Sequence, residues 1–153
     1  MEPLIALLDE GGVSLASAAR RLGLSEGQAL QALVESGRVV ERDGPETLGV
    51  VASWGRIRVI LRSGDCVAEI MSDLGQARQS GPYWNDEDDR AHLHLGVAEV
   101  RRAFVVSKVG HASGRAVRLV AFADGAGEVL FKVMVPRERT DLFPAFNTLK
   151  GAP

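Results

Sequence analysis

Two of the chain's three histidines, His92 and His94, stand two residues apart in the run Ala91-His92-Leu93-His94-Leu95. In an extended strand, side chains at i and i+2 share a face, so both imidazoles point one way and Leu93 and Leu95 the other. Just upstream lies an acidic run, Asp86-Glu87-Asp88-Asp89. Imidazoles on one face with carboxylates nearby are the donor types a divalent ion takes, which makes a non-haem metal site one reading of this stretch. The calcium-loop pattern is absent. Taken singly, a strand histidine is usually a polar face residue and an acidic run a solvated loop. The third histidine, in His111-Ala112-Ser113-Gly114, reads as exposed turn chemistry.

Other chemistries find little support. No Ser-His-Asp order, phosphate-cradling Gly-Lys loop or dinucleotide turn occurs, and Gly110 to Gly114 follows the wrong pattern. Cys66 sits inside a strand pattern with no histidine close in sequence, so it reads as a core residue rather than a nucleophile. No distinct catalytic group emerges, and the chain is expected not to be an enzyme. As the sole cysteine, Cys66 also excludes an internal disulfide.

Charge and length bound the rest. Eighteen Lys and Arg against 20 Asp and Glu give a net charge of −2, so no whole-protein attraction to phosphate is indicated. The 153 residues, 46% hydrophobic and 25% charged, suit one globular domain with a real core. Met1-Glu2-Pro3 opens without a basic segment, and the next apolar run is too short for export or a membrane span. The expected compartment is the cytoplasm, with no membrane partner.

The elements that position these residues begin with helices. Pro3 suits the first turn of a helix bearing Leu4, Ile5, Leu7 and Leu8, stopped by Gly11-Gly12. Ser14 caps a second, with Leu15, Ala18, Ala19 and Leu22 on one face and Gly23 at its exit. Ser25 caps a third, with Gln28 as its capping-box partner and Leu30 and Leu33 inward. Joined through Gly23-Leu24-Ser25, the last two form a helix-turn-helix pattern, and Val39 to Gly44 could serve as a wing. A DNA-binding regulator is therefore an alternative reading. Against it, the third helix offers Glu26, Gly27, Gln28 and Gln31 where a groove-reading helix carries cations. Nucleic acid is not expected as a partner.

After Pro45, a short helix with Leu48 and Val51 leads to Trp54-Gly55, where the period changes to alternation. Ile57, Val59 and Leu61 oppose Arg56, Arg58 and Arg62, with Ile60 the exception. Ser63-Gly64-Asp65 turns the chain into a hairpin with Cys66 to Met71. Ser72 to Arg90 reads as a long connection. His92–Leu95 and three runs near 100–108, 115–122 and 128–135 complete six strands, with a tight turn at Asp124-Gly125. Pro136 stops the last strand, and Asp141 is placed to cap a closing helix with Leu142, Phe143, Phe146 and Leu149. The pattern predicts an α+β fold: an antiparallel sheet with N-terminal helices and a C-terminal helix. Residues 1–44 form a helical segment of the same domain, and 45–153 the sheet.

Several of these pieces, in order, resemble the HutX/ChuX haem-utilisation carriers and each half of the HemS-type haem proteins. They are Trp54-Gly55, Trp84-Asn85, Leu93-His94-Leu95, Phe104 to Lys108, Phe122-Ala123-Asp124, Gly127-Glu128 and Phe131-Lys132-Val133. The likeness spans roughly residues 46 to 149. It departs at Arg62, where some carriers have a histidine, at Asp86, at Val109 and at Pro136-Arg137-Glu138. The resemblance implies an intracellular haem carrier with His94 as leading axial ligand and His92 its rival. It implies Lys108, Arg115, Lys132 and Arg137 as propionate partners and Phe104 and Phe131 as slot walls, with Met71 and Tyr83 as second-ligand candidates or plain packing residues. A HemS-type protein spans two such halves and this chain supplies one, so a homodimer is expected.

Overall fold

Capping hydroxyls, glycine exits and one early proline divide the N-terminal part into short helices. The computed structural model describes residues 1–87, 92–109 and 115–151. Helix α1 (Glu2–Asp9) carries Pro3 in its first turn, where a missing N–H costs nothing. Helix α2 (Leu15–Arg21) is capped by Ser14, whose hydroxyl accepts from the Ser17 amide at 3.1 Å. Helix α3 (Glu26–Glu35) has the full capping box: Ser25 Oγ accepts from the Gln28 amide at 3.1 Å, and Gln28 Oε1 accepts from the Ser25 amide at 2.8 Å. Asp43 caps α4 (Gly44–Ala52) through the Glu46 amide at 2.8 Å. Helix α5 (Phe143–Lys150) closes the described chain.

The strands are β1 (Val39–Asp43), β2 (Arg56–Ser63), β3 (Cys66–Asp73), β4 (Arg78–Ser80), β5 (Tyr83–Glu87), β6 (His92–Leu95), β7 (Arg102–Val109), β8 (Ala116–Ala123) and β9 (Val129–Met134). Six form a main sheet in the order β1-β7-β8-β9-β2-β3, and β4-β5-β6 form a small second sheet. Every pairing is antiparallel. This is the expected α+β architecture.

Alternation gives the main sheet two apolar faces. Phe104, Val106, Leu119 and Ala121 pack under Leu4, Leu15, Leu30 and Leu33 of the N-terminal helices. On the other face, Val105, Val120, Phe122 and Val133 meet Leu48, Val51 and Trp54, Phe146 of α5, and Leu93 and Leu95 of the small sheet. Burying each such side chain stabilises the fold by about 1.5–3 kcal/mol. Both faces of the sheet are thus spent on packing wherever helices or β6 cover them.

Five expectations are corrected. Val39 to Asp43 is not a free wing but an edge strand, paired with β7 from Val39–Val106 to Asp43–Arg102. Its Val39 is buried, which is why it docks. The segment read as a long connection holds β4 and β5, and β6 pairs with β5 rather than joining the main sheet. Asp141 does not cap α5, which follows directly on a 3-10 turn, Thr140–Leu142, and has no side-chain cap. Asp141 instead accepts from Arg139 Nη2 at 2.8 Å. Cys66 is exposed, at the tip of the β2–β3 hairpin rather than in a core.

The helix-turn-helix pattern is real, yet its second helix faces inward. Gly27, Ala29, Leu30 and Leu33 of α3 are buried. Gly27 approaches the β8–β9 turn so closely that a Cβ there would stand 1.7 Å from the Gly127 carbonyl oxygen. The polar residues in the first two turns of α3 are committed within the fold: Glu26 to Lys132, Gln28 to the cap, Gln31 to Arg102. Among the described residues, no helix is long and apolar enough to cross a membrane.

Candidate ligand-binding site

The N-terminal helices cover β7 and β8 but leave part of β9, β2 and β3 open on the same face. The result is a cleft of about 780 Å³ between the α1–α2 connection and the sheet. Ile60, the apolar exception among the β2 arginines, lines it with Val67, Val117, Leu119 and Met134. The same face carries cations: Arg21, Arg58, Arg62, Lys108, Lys132 and Arg137. Among the described residues, three carboxylates line the cleft with them, Glu26, Glu69 and Glu138. A mixed apolar and cationic hollow of this size suits an amphipathic anion.

Those cations are not equivalent. Arg58 leans on Glu69 at 3.4 Å. Lys132 Nζ donates to Glu26 Oε1 at 2.7 Å, and the two side chains are only 11% and 13% exposed. Lys108 makes no ion pair or hydrogen bond of its own among the described residues. Burial, and then the neighbouring Lys132, push its amine below the ordinary lysine value, while Glu26 pulls the other way. Arg62 Nη1 donates to the Gly64 carbonyl at 3.1 Å. Its Nε is buried with no acceptor among the described residues. A second, more open cleft of about 720 Å³ shares Glu26, Ile60, Arg62 and Lys132 with the first. The Glu26–Lys132 pair therefore stands on the wall between them.

The residues singled out from sequence divide into two groups. Lys108, Lys132 and Arg137 come together in the large cleft. Arg115, exposed just before β8, does not line it. His92 and His94 are exposed on β6, while Leu93 and Leu95, which alternate with them, enter the core. They therefore lie beyond the other face of the main sheet, across the core from the cleft. Phe104 and Phe131 are 0% and 3% exposed, packed in the two cores; neither lines the large cleft, and Phe131 reaches the edge of the second one. Strand alternation that brings Lys108 and Lys132 to the open side assigns Phe104 to the helix-covered part and turns Phe131 away. Met71 is partly buried and Tyr83 is 49% exposed, so Tyr83 is not a packing residue.

A divalent-metal site gains no geometry. Among the described residues, no three His, Cys, Asp or Glu side chains converge. Asp86 points to the inner side of the small sheet and accepts from Ser72 Oγ at 2.5 Å. Asp88, Asp89 and His111 lie outside the described residues. Sequence reasoning passed over Glu26, Arg58 and Arg62, although the alternation Arg58-Val59-Ile60-Leu61-Arg62 already set Arg58, Ile60 and Arg62 on one face. What no periodicity could supply was that this face stays uncovered.

The residues present fit a dianionic, largely apolar ligand such as haem: an apolar wall, an unpaired lysine and an orphaned arginine donor. Among the described lining residues there is no histidine, and Met134 is the thioether available.

A sequence profile of the haem-utilisation ChuX/HutX family matches residues 28–149. No curated protein matches the chain. The fold is similar to a protein of Erwinia carotovora, at TM-score 0.78 and 19% identity, covering 97% of this chain and 94% of that one. It is similar to ChuX at 0.76 and 15%, covering 99% and 97%. It is also similar to holo-PhuS, a haem-binding protein from Pseudomonas aeruginosa, at 0.70 and 18%. That match covers 96% of this chain but 44% of PhuS.

Proposed function

Since the chain belongs to the ChuX/HutX haem-utilisation family, we propose that it is a haem carrier rather than a catalyst, with the large cleft as the seat. The observation that carries this reading is the pairing of an apolar wall with an excess of cations over carboxylates among the described residues that line one hollow of about 780 Å³. The apolar lining takes the porphyrin, and Lys108, Lys132 and Arg137 take the propionates. Arg62, at the position where some of the family's carriers have a histidine, lines the same cleft. When bound, haem would supply only its iron and its own affinity; the chain's part is to hold and release it.

A second reading places the haem on the outer face of the small sheet, with His94 as axial ligand. Its support is the Asn85 side chain that orients the His94 ring. The core between His94 and the cleft means that one chain cannot use both surfaces for one haem.

Hemin titration followed at the Soret band tests both. Under the cleft reading Lys108→Glu weakens binding at least tenfold and His94→Ala leaves it unchanged. Under the second reading the effects exchange. Absorbance that never saturates with wild-type protein sinks the carrier proposal altogether. The match to under half of PhuS supports a two-copy assembly, so light scattering is expected to give a homodimer mass.

A further inference from the structure

We propose that Glu26 is an internal counter-ion of the cleft, holding the place of a ligand carboxylate on Lys132 and leaving it when such a ligand enters. This rests on the cleft being the ligand site; it does not depend on haem being the occupant.

Three observations lead there. First, the Glu26–Lys132 pair is nearly buried yet lies on the cleft wall, so its ionic contact is made where a ligand would sit. Second, Lys108 lines the same cleft as Lys132 with no ion pair of its own among the described residues, so Glu26 is paired with one of the cleft's two lysines and the other awaits a partner. A buried charge without a full partner is costly, and a second carboxylate would relieve it. Third, the displaced Glu26 has somewhere to go. The adjoining cleft shares Glu26 and Lys132, and its wall includes Arg62, whose buried Nε has no acceptor among the described residues. Gly27 sets the position of Glu26, because the close approach of α3 to the Gly127 carbonyl anchors the helix start while its first side chain is left to turn.

The consequence is selectivity. A ligand with carboxylates replaces what it removes; a neutral ligand of the same shape displaces Glu26 and leaves two amines uncompensated. Glu26 therefore lowers affinity overall and makes the remaining affinity depend on the ligand's acid groups.

The test compares hemin, hemin dimethyl ester and glutarate on the full chain by titration calorimetry and absorbance. Glu26→Gln removes the competing charge at nearly constant volume. It is expected to tighten hemin about tenfold, equivalent to about 1.4 kcal/mol, to tighten glutarate in parallel, and to leave the preference for hemin over its dimethyl ester in place. Adding Lys132→Gln should cancel the gain. If Glu26→Gln does not fold, Glu26→Asp, which withdraws the charge by one methylene, should give a smaller gain in the same order. An unchanged or weakened affinity for both acids overturns the proposal, even if wild-type protein binds hemin. A gain for glutarate in a protein that never binds hemin keeps the exchange and removes haem as the occupant.

Discussion

His94 Nδ1 lies 2.5 Å from Asn85 Oδ1, across the β5–β6 rung that pairs the two residues. Asn85 Nδ2 in turn donates to the Arg78 carbonyl at 3.3 Å, which leaves Oδ1 as the atom facing the ring. Since that oxygen can only accept, the His94 Nδ1–H that faces it donates, and the ring is held with Nε2 directed away from Asn85. This is how proteins orient an imidazole for a metal. The prediction concerns the outer-face reading. If His94 holds iron, Asn85→Leu frees the ring and weakens hemin about 10–100-fold, with a shifted Soret band. If the cleft is the seat, Asn85→Leu leaves the titration unaltered.

Gly27→Ala tests how closely α3 is seated. The added methyl would meet backbone, not a flexible side chain, 1.7 Å from the Gly127 oxygen. The helix must lift or tilt, at a cost of about 1–3 kcal/mol. Chemical denaturation should show a lower midpoint with an unchanged slope. A variant as stable as wild type would mean that α3 is not anchored there, and with it the position of Glu26.

Acid stability should lean on Glu41. The Arg102 guanidinium, bonded to its carboxylate through Nε at 2.5 Å and Nη2 at 2.9 Å, holds Glu41 below the ordinary glutamate value. A lowered folded value means the unfolded chain binds the proton more readily. The stabilisation is therefore full above the ordinary value and is lost as pH falls through the lowered one. Arg102→Met should flatten the acid limb of a stability-against-pH curve measured from pH 6 downward. Asp9, Asp65 and Asp141 are lowered in the same direction by Arg38, Arg20 and Arg139, but on the open surface, where screening leaves them little weight.

These tests touch residues that the sequence revealed to different degrees. The capping box of Ser25 and Gln28, the hairpin at Gly64-Asp65 and the alternation from Ile57 onward are local signals, and each element forms where those signals place it. Val39–Asp43 and β4–β5 escaped because short polar strands such as Arg78-Gln79-Ser80 have no periodicity of their own; partners elsewhere in the chain make them strands. Cys66 was misplaced for a related reason: strand pattern says nothing about whether a strand is an edge. The cations of the cleft were half legible. Lys108 and Lys132 were named through resemblance, but Glu26 reaches Lys132 across 106 positions of sequence, and no spacing rule connects them. His94 and the cleft cations are drawn together by order along the chain and set apart by the sheet between them.

The last prediction follows from Lys108. Its amine sits half-buried beside Lys132, with Glu26, Arg58, Arg62, Arg137 and Glu138 on the same cleft. Burial first, and Lys132 second, lower its proton affinity, and Glu26 only partly offsets them. Lys108 therefore becomes neutral at a lower pH than an ordinary lysine does. Binding of a dianionic ligand should weaken as pH rises through that lowered value, before surface lysines titrate. The stability sign is the reverse. Holding Lys108 charged costs the folded state below its lowered value, and the cost fades as pH climbs to the ordinary lysine range. Lys108→Arg keeps the charge across the whole range and should remove the alkaline weakening of hemin binding without loss at neutral pH. Lys108→Met should bind weakly at every pH. An alkaline limb that persists unchanged in Lys108→Arg would assign it to another group and take Lys108 out of the site.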